Sequence, residues 1–229
     1  SCLRFYVGVR FLRIRIVRST DSVQRAIHRL FCMGGTITMN VIAGFFDALA
    51  DRWDELCYHA PEKINQILEQ TTLHKGLRIL DVGCGTGVLE QYLLTYSPAH
   101  ITGIDISPRM IEAAQNKYAT PIVDFRCMDV MELKDEQFDF IIAYSVFPHF
   151  EHPDKVIGHL AKLLIPGGEL VICHSEGREN INGHHNKQAN KISFGLPTAR
   201  EVAALMEPYF HIEAMEDTDE LYMVSGIRY

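Results

Sequence analysis

The stretch Ile79-Leu80-Asp81-Val82-Gly83-Cys84-Gly85-Thr86-Gly87 decides the fold class of this chain of 229 residues. A short apolar run that ends in an acid predicts a buried β-strand, and three glycines at alternate positions predict a tight loop before a helix. In this order, backbone N–H groups and a helix amino terminus can approach a ligand, because glycine has no side chain to block them. The GxGxG spacing differs from the GxGxxG of dinucleotide-binding proteins.

Further strands follow this motif, with helices between them. The strands up to residue 174 are expected at 77–82, 100–106, 122–127, 138–144 and 169–174. Such alternation is typical of an α/β fold in which helices cover both faces of a parallel sheet. Two last strands, 210–215 and 221–228, are separated by too few residues for a crossover, so they are expected to pair antiparallel.

Helical spacing of apolar residues predicts a helix over 41–58, ahead of the glycine motif. Trp53 and Tyr58 in this segment either cover a substrate or only dock the helix against the domain. A second helix is predicted over 62–71, a third over 88–96, and a fourth over about 108–118 with Ser107 as its cap and Pro108 at its first position.

The composition is that of an ordinary globular protein, with 47% hydrophobic and 22% charged residues. No run approaches the ~18 apolar residues of a membrane-spanning helix, which argues against an integral membrane protein. The net charge of −7 makes nucleic acid a poor candidate partner. Six widely spaced cysteines without a CxxC pair predict reduced thiols and a reducing, cytoplasmic location.

Residues 1–38 differ from the rest, because they contain seven Arg and only one acid, Asp21. Three interpretations remain open: a transit peptide, a basic arm for a membrane or partner, or translated sequence upstream of a natural start at Met39. We therefore divide the chain into a basic extension, 1–38, that is either not native or disordered, and a main domain, 39–229.

Three carboxylates, Asp81, Asp105 and Asp129, follow or end successive predicted strands, so they are expected at one edge of the sheet. Asp105 is placed to accept hydrogen bonds from both hydroxyls of a ribose and to repel a 2′-phosphate. Asp129 could accept a bond from an adenine amino group. Each acid alone could equally cap a helix or lie in a solvated loop, but three in equivalent positions favour a nucleotide site.

The glycine motif resembles the nucleotide loop of class I S-adenosylmethionine-dependent methyltransferases, and Gly103-Ile104-Asp105-Ile106-Ser107 is similar to their second motif. The Phe138-Asp139 pair, the stretch 164–168 and the closing strand pair fit as well. The leading segment 45–54 resembles the small-molecule branch, which includes quinone-ring methylases. The resemblance covers about residues 40–229.

This resemblance implies a Rossmann-like, doubly wound, seven-stranded sheet that is mostly parallel, with the last strand antiparallel. It implies S-adenosyl-L-methionine as cofactor, with Asp81 near the methionine ammonium group and with Tyr144 and Ser145 bordering the transferred methyl. The cofactor-binding residues expected on this basis are Asp81, Gly83, Cys84, Gly85, Gly87, Asp105, Ile106, Met110, Met128, Asp129, Val130, Tyr144 and Ser145.

Histidines cluster after the fourth and fifth predicted strands, where open α/β folds bind ligands. One hypothesis is that His149, His174 and His185, together with Glu176, supply a catalytic base or a metal site. The alternative is that they are polar loop residues and a helix cap. No recognised metal-ligand spacing occurs, so no metal is expected.

The sequence thus predicts a methyltransferase that acts on a small molecule by in-line displacement, with the acceptor atom left open. A noncatalytic protein that binds the same cofactor, or a scaffold, is the alternative. An NAD-dependent oxidoreductase is a third possibility, which the GxGxG spacing and the reversed final strands disfavour. Neither a nucleic-acid partner nor an integral membrane segment is expected.

Overall fold

The computed structural model describes residues 39–187 and 192–229. The basic extension, 1–38, lies outside the described residues, as do the side chains of residues 184–187. Among the described residues, no helix is both long and apolar enough to cross a membrane.

One seven-stranded sheet forms the centre of the fold, with strand order β3-β2-β1-β4-β5-β7-β6. The first five strands pair in parallel, whereas β7 runs antiparallel to both β5 and β6. This topology confirms the expected doubly wound sheet with its last strand reversed. The strands are β1 Arg78–Val82, β2 His100–Asp105, β3 Val123–Cys127, β4 Phe138–Tyr144, β5 Leu164–His174, β6 Phe210–Asp217 and β7 Tyr222–Arg228.

Helices cover both faces of this sheet. They are α1 Met39–Asp47, α2 Trp53–Leu56, α3 Pro61–Leu68, α4 Glu90–Leu93, α5 Pro108–Lys117, α6 Pro153–Leu163, α7 Arg178–Lys187 and α8 Ala199–Met206. Short 3₁₀ turns occur at Ala50–Arg52, Leu94–Tyr96, Val130–Glu132 and Phe147–His149. As the sequence predicts, Ser107 caps α5 by accepting a hydrogen bond from the Met110 amide, 3.1 Å away.

The prediction of one continuous helix over 41–58 is wrong, because the segment breaks after α1. The amides of Leu49 and Arg52 bond to carbonyls three residues earlier, in 3₁₀ fashion, before α2 begins. Asp47 at the break bonds to the cap of α5, a tertiary contact that local spacing does not reveal. The predicted helix over 88–96 is also shorter, since α4 passes into a 3₁₀ turn.

The core lies in two apolar layers, one on each face of the sheet. Neighbouring residues of β4 face opposite layers, and Phe140, Ile141 and Ile142 are all fully buried. A parallel strand buried on both faces needs this continuous apolar run rather than alternation. The polar residues that carry chemistry are therefore confined to the strand ends and the loops beyond them.

Candidate active site

A cavity opens at the carboxyl ends of β1, β2 and β4, beneath α1 and α2. This is the usual ligand position in open α/β sheets. The sequence-predicted binding residues that line it are Gly83, Cys84, Gly85, Asp105, Ile106, Met110, Met128, Asp129, Val130, Tyr144 and Ser145. The other two predicted residues do not line the cavity: Asp81 lies in β1 before the loop, and Gly87 is the last glycine of the loop.

The three loop glycines all have positive φ, at 71° for Gly83, 54° for Gly85 and 81° for Gly87. A Cβ atom on Gly83 would lie 2.4 Å from Val146 Cγ2, and one on Gly87 would lie 2.8 Å from Tyr118 Cε2. A Cβ atom on Gly85 would meet nothing closer than Trp53 Nε1, 3.9 Å away. Gly85 is therefore the glycine whose missing side chain leaves room in the cavity.

Asp105 is held rigidly at the end of β2. Its Oδ2 accepts a hydrogen bond from the Gly85 amide at 3.1 Å, and its Oδ1 accepts one from the Ser107 amide at 2.8 Å. Burial raises the pKa of this carboxyl, against the opposing effect of the two amide bonds. These bonds fix the carboxylate without using all of its lone pairs, so it can accept further bonds from a ligand.

Asp129 combines the two roles that the sequence left open. Its Oδ1 accepts a hydrogen bond from the Met131 amide at 2.9 Å, so it caps the 3₁₀ turn Val130–Glu132. It also lines the cavity beside Met128 and Val130. Capping therefore does not remove this residue from the ligand site.

Asp81 and Glu90 form a pair of buried acids under the glycine loop. Asp81 Oδ2 and both carboxyl oxygens of Glu90 are buried, and the two carboxyl groups can hydrogen-bond to each other when one of them carries a proton. Burial, and secondarily the charge of Glu90, raises the pKa of Asp81 well above its usual value. Burial likewise raises the pKa of Glu90 to about 7. The sequence analysis missed Glu90, although a charged residue directly after the apolar Val88-Leu89 was a visible signal.

Three aspartates of the amino-terminal segment bond to neighbouring elements; Asp47 and Asp54 hold the segment over the cavity, whereas Asp51 adds only an exposed ion pair. They follow the spacing of one helical face, at positions 47, 51 and 54. Their bonds are Ser107 Oγ to Asp47 Oδ1 (2.6 Å), Arg109 Nη2 to Asp51 Oδ1 (2.6 Å), Thr86 Oγ1 to Asp54 Oδ1 (2.5 Å) and the Lys117–Asp54 ion pair. The segment places Ile42, Phe46 and Trp53 in the cavity wall, whereas Tyr58 is 59% exposed.

The structure separates the three histidines that the sequence grouped as candidates. His149 lines the cavity, where its Nδ1 donates to the Ile192 carbonyl at 2.7 Å and burial lowers its pKa. His174 is buried at the end of β5 against the Tyr222 ring and does not line the cavity. His185 belongs to α7, but its side chain lies outside the described part of the chain.

A fourth histidine, His59, lines the cavity and was missed by the sequence analysis. Its Nδ1 lies 2.8 Å from the Tyr144 hydroxyl oxygen. The contact joins residues 85 positions apart, and no local motif surrounds His59 that could have identified it. Across the described ranges, no group of three or more His, Cys, Asp or Glu residues is arranged to hold a metal ion.

Comparison with known proteins gives one family and several relatives. The family described as "Methyltransferase domain" matches residues 80–172. A malonyl-[acyl-carrier protein] O-methyltransferase of Priestia megaterium is 30% identical over 197 residues, covering 77% of this chain and 70% of that protein. A ubiquinone biosynthesis O-methyltransferase of Coxiella burnetii is 34% identical over 139 residues, covering 56% of this chain and 58% of that protein. Some relatives are thus matched over less than two thirds of their length.

Solved structures share the fold. The complex of the Haloferax volcanii Trm112 methyltransferase activator with a putative methyltransferase matches with a TM-score of 0.68 and 18% identity, over 80% of this chain and 97% of that one. The N-methyltransferase NodS of Bradyrhizobium japonicum, in complex with S-adenosyl-L-homocysteine, matches with a TM-score of 0.60 and 17% identity, over 91% and 99%. The [4+2]-cyclase SpnF also matches, with a TM-score of 0.64 and 22% identity over 78% and 74%, so the fold alone does not specify a reaction.

Proposed function

Because the chain belongs to the S-adenosylmethionine-dependent methyltransferases, we propose that it transfers the methyl group to an oxygen atom of an uncharged small molecule. The cavity carries this proposal, since a single space joins the fixed carboxylate of Asp105 to an apolar and aromatic wall that includes Phe46, Trp53 and Phe150. One end suits a nucleoside and the other suits an acceptor of aromatic or apolar character.

The residues at the nucleoside end fit S-adenosylmethionine. Asp105 can accept bonds from ribose hydroxyls, and Gly85 leaves room for the ligand beside the loop. Asp81 is buried at the end of β1, and burial, with the charge of Glu90, raises its pKa in the free protein, so an ammonium group brought close to it would favour its ionised form. We assign Asp129 and Met128 to the adenine end of the site.

An uncharged acceptor is supported by the charges that face the cavity. Its described lining residues include the carboxylates Asp105 and Asp129 but neither Lys nor Arg. A carboxylate substrate would therefore lack a matching cation in this part of the wall. An oxygen acceptor is supported by the relatives named as O-methyltransferases.

Methyl transfer requires mainly that the acceptor atom and the methyl group are positioned correctly. When bound, the cofactor supplies a methyl group on a sulfonium, which is already activated for displacement. The chain must align an acceptor oxygen with that methyl group and exclude water, and alignment alone can lower the barrier by several kcal/mol. Tyr144 and Ser145, at the end of β4, lie where they can form this part of the wall.

Methyl transfer from isotopically labelled S-adenosylmethionine to a panel of acceptors tests the proposal. The panel contains catechol, aniline, benzenethiol and malonyl-pantetheine, with products identified by mass spectrometry. We expect labelled methyl on catechol oxygen and little on malonyl-pantetheine. Methylation of malonyl-pantetheine alone would contradict the uncharged acceptor, and cofactor binding without transfer to any acceptor would favour a noncatalytic binding protein.

Asp105→Ala tests the cofactor part of the proposal by calorimetry. Loss of buried hydrogen bonds to the ribose should weaken S-adenosylmethionine binding by about 1–3 kcal/mol. Asp219→Ala, at an exposed loop position, is the matched control and should bind as the unchanged protein does. Equal affinity in a folded Asp105→Ala protein would remove Asp105 from the ribose site.

A further inference from the structure

His59 stands in a chain of hydrogen bonds that crosses three parts of the fold. The residue lies between α2 and α3, and its Nδ1 is 2.8 Å from the hydroxyl oxygen of Tyr144, at the end of β4. The Tyr144 hydroxyl is in turn 2.8 Å from Ser175 Oγ, directly after β5. His59 and Tyr144 both line the cavity, while Ser175 lies behind them and is buried.

The hydrogen bonds of Tyr144 favour one tautomer of His59. When the single proton of the Tyr144 hydroxyl is donated to Ser175 Oγ, the Tyr144 oxygen accepts the Nδ1–H of His59, and the Nε2 atom then carries a lone pair instead of a proton. Within the described residues, no protein group bonds to Nε2.

On the function proposed above, we propose that His59 is the general base of methyl transfer and that Tyr144 and Ser175 are positioning residues. A base is useful for a hydroxyl acceptor, because a neutral hydroxyl is a weak nucleophile and must lose its proton during transfer. The acceptor's oxygen–hydrogen bond breaks and its proton goes to Nε2. The oxygen forms its bond to the methyl carbon as the carbon–sulfur bond breaks and leaves its electron pair on sulfur, and the imidazolium later returns the proton to water.

The surroundings suit this role. Burial lowers the pKa of His59, so the ring is neutral near pH 7, while the nearby charge of Asp54 on α2 offsets part of the cost of forming the cation. Cys57 does not compete as a base, because burial, and secondarily Glu176 and Asp54, raises the pKa of its thiol to about 11. Burial also raises the pKa of Tyr144, which therefore remains a neutral phenol.

Imidazole ¹⁵N NMR of the whole protein tests the tautomer without needing an acceptor. We expect the His59 signals, assigned by their loss in His59→Gln, to show a protonated Nδ1 and an unprotonated Nε2 at pH 8. Tyr144→Phe removes the acceptor of that Nδ1 proton and should shift the tautomer populations. A protonated Nε2 in the unchanged protein would overturn the inference, whatever the enzyme methylates.

Kinetics with catechol test the catalytic role. We expect His59→Gln to lower kcat about 10²-fold or more, with little change in the dissociation constant of S-adenosylmethionine. The acid limb of the pH profile of kcat should disappear in His59→Gln. Tyr144→Phe should shift that limb while KM changes little. His211→Gln, on the exposed edge strand β6, is the control and should retain full activity.

Two kinetic results would overturn the role of His59. One is a His59→Gln protein with a kcat within threefold of the unchanged protein. The other is loss of the acid limb in His149→Gln but not in His59→Gln, which would assign the base to the histidine that the sequence indicated. A lack of methyl transfer by the unchanged protein is a different outcome, because it contradicts the proposed function while the NMR result still decides the tautomer.

Discussion

Gly83 and Gly85 have similar backbone conformations, but their surroundings differ, so the same substitution should act differently at each. Alanine at either position costs about 1–2 kcal/mol in backbone strain, because both have positive φ. At Gly83 the new methyl group also meets Val146 at 2.4 Å, whereas at Gly85 it enters open space in the cavity. We expect Gly83→Ala to lower the free energy of unfolding more than Gly85→Ala does. We expect Gly85→Ala to weaken S-adenosylmethionine binding more than its small loss of stability would explain.

Urea unfolding and calorimetric titration of the two variants separate these effects. Gly76→Ala is the control for strain alone, since Gly76 has a φ of 90° and open space around it, away from the loop. The loss of unfolding free energy in Gly76→Ala should be similar to that in Gly85→Ala, while its cofactor binding should be normal. Unchanged cofactor binding in Gly85→Ala would mean that the ligand does not pass over Gly85.

Glu90 should make the stability of the free protein fall as the pH rises. Its pKa is raised from 4.5 to about 7, chiefly by burial, so the folded protein binds more protons than the unfolded chain between these values. Stability is then fully present below pH 4.5 and is lost as the pH rises towards 7. Glu90→Gln should remove this loss and gain up to about 3 kcal/mol over the unchanged protein at pH 8.

Unfolding by urea at pH 4.5 and pH 8 measures this difference. The gain in Glu90→Gln should be largest at pH 8 and close to zero at pH 4.5. Glu112→Gln, at an exposed position of α5, should match the unchanged protein at both values. A Glu90→Gln protein that is less stable at pH 8 would mean that the ionised carboxylate has a stabilising partner.

At this scale the sequence predicted the residues of local motifs and missed those brought in by tertiary contacts. The glycine loop, Asp105 and Asp129 follow strand ends, and each strand end can be recognised from its own neighbours in the sequence. His59 reaches the site only because the chain before β1 folds back over it, so its partner Tyr144 is 85 positions away. The candidate histidines were predicted from loop position alone, and loop position does not fix side-chain direction.

For whole elements, the amino-terminal segment shows the same difference between what local spacing predicts and what tertiary contacts decide. Its apolar spacing correctly predicted helical structure, but the break after α1 depends on Asp47, whose Oδ1 accepts bonds from Ser107 Oγ at 2.6 Å and from the Arg109 amide at 3.2 Å. Asp51, one turn later, only pairs with Arg109 at an exposed surface. The spacing of apolar residues indicates which face of a helix is buried. The position at which the helix breaks depends on the tertiary contacts of that face.

Asp47→Ala should therefore loosen the segment over the cavity and weaken cofactor binding, by about 1 kcal/mol or more, because two bonds to the start of α5 are lost. Asp51→Ala is the matched control, since an exposed ion pair contributes at most about 1 kcal/mol and often nothing measurable. Limited proteolysis between residues 47 and 60 should be faster in Asp47→Ala alone. Equal cleavage and equal affinity in the two variants would mean that Asp47 does not hold the segment.

For the whole molecule, the alternation of strands and helices predicted a parallel sheet covered on both faces, and the family resemblance predicted seven strands with the last one reversed, whereas the strand order became known only from the structure. The short link between the last two strands was sufficient to predict that they pair antiparallel, but not which of them is reversed in the sheet. The order of elements along the chain does not predict that α1 and α2 cover the cavity. These helices are held there by side-chain hydrogen bonds to the start of α5 and to the glycine loop. The substrate end of the site is therefore the part that sequence patterns predict least.

Thermal unfolding of the 229-residue chain with S-adenosylmethionine, S-adenosylhomocysteine and NAD tests the nucleotide site as a whole. A ligand at about 100 times its dissociation constant adds roughly 2.7 kcal/mol, which for a domain of this size raises Tm by about 5–10 °C. We expect both sulfur ligands to raise Tm and NAD to leave it unchanged. In Asp105→Ala the shift should shrink for both sulfur ligands together, because the ribose is common to them. A shift with NAD alone would contradict the assignment of the cavity to S-adenosylmethionine, and loss of the shift for only one sulfur ligand would place Asp105 away from the ribose.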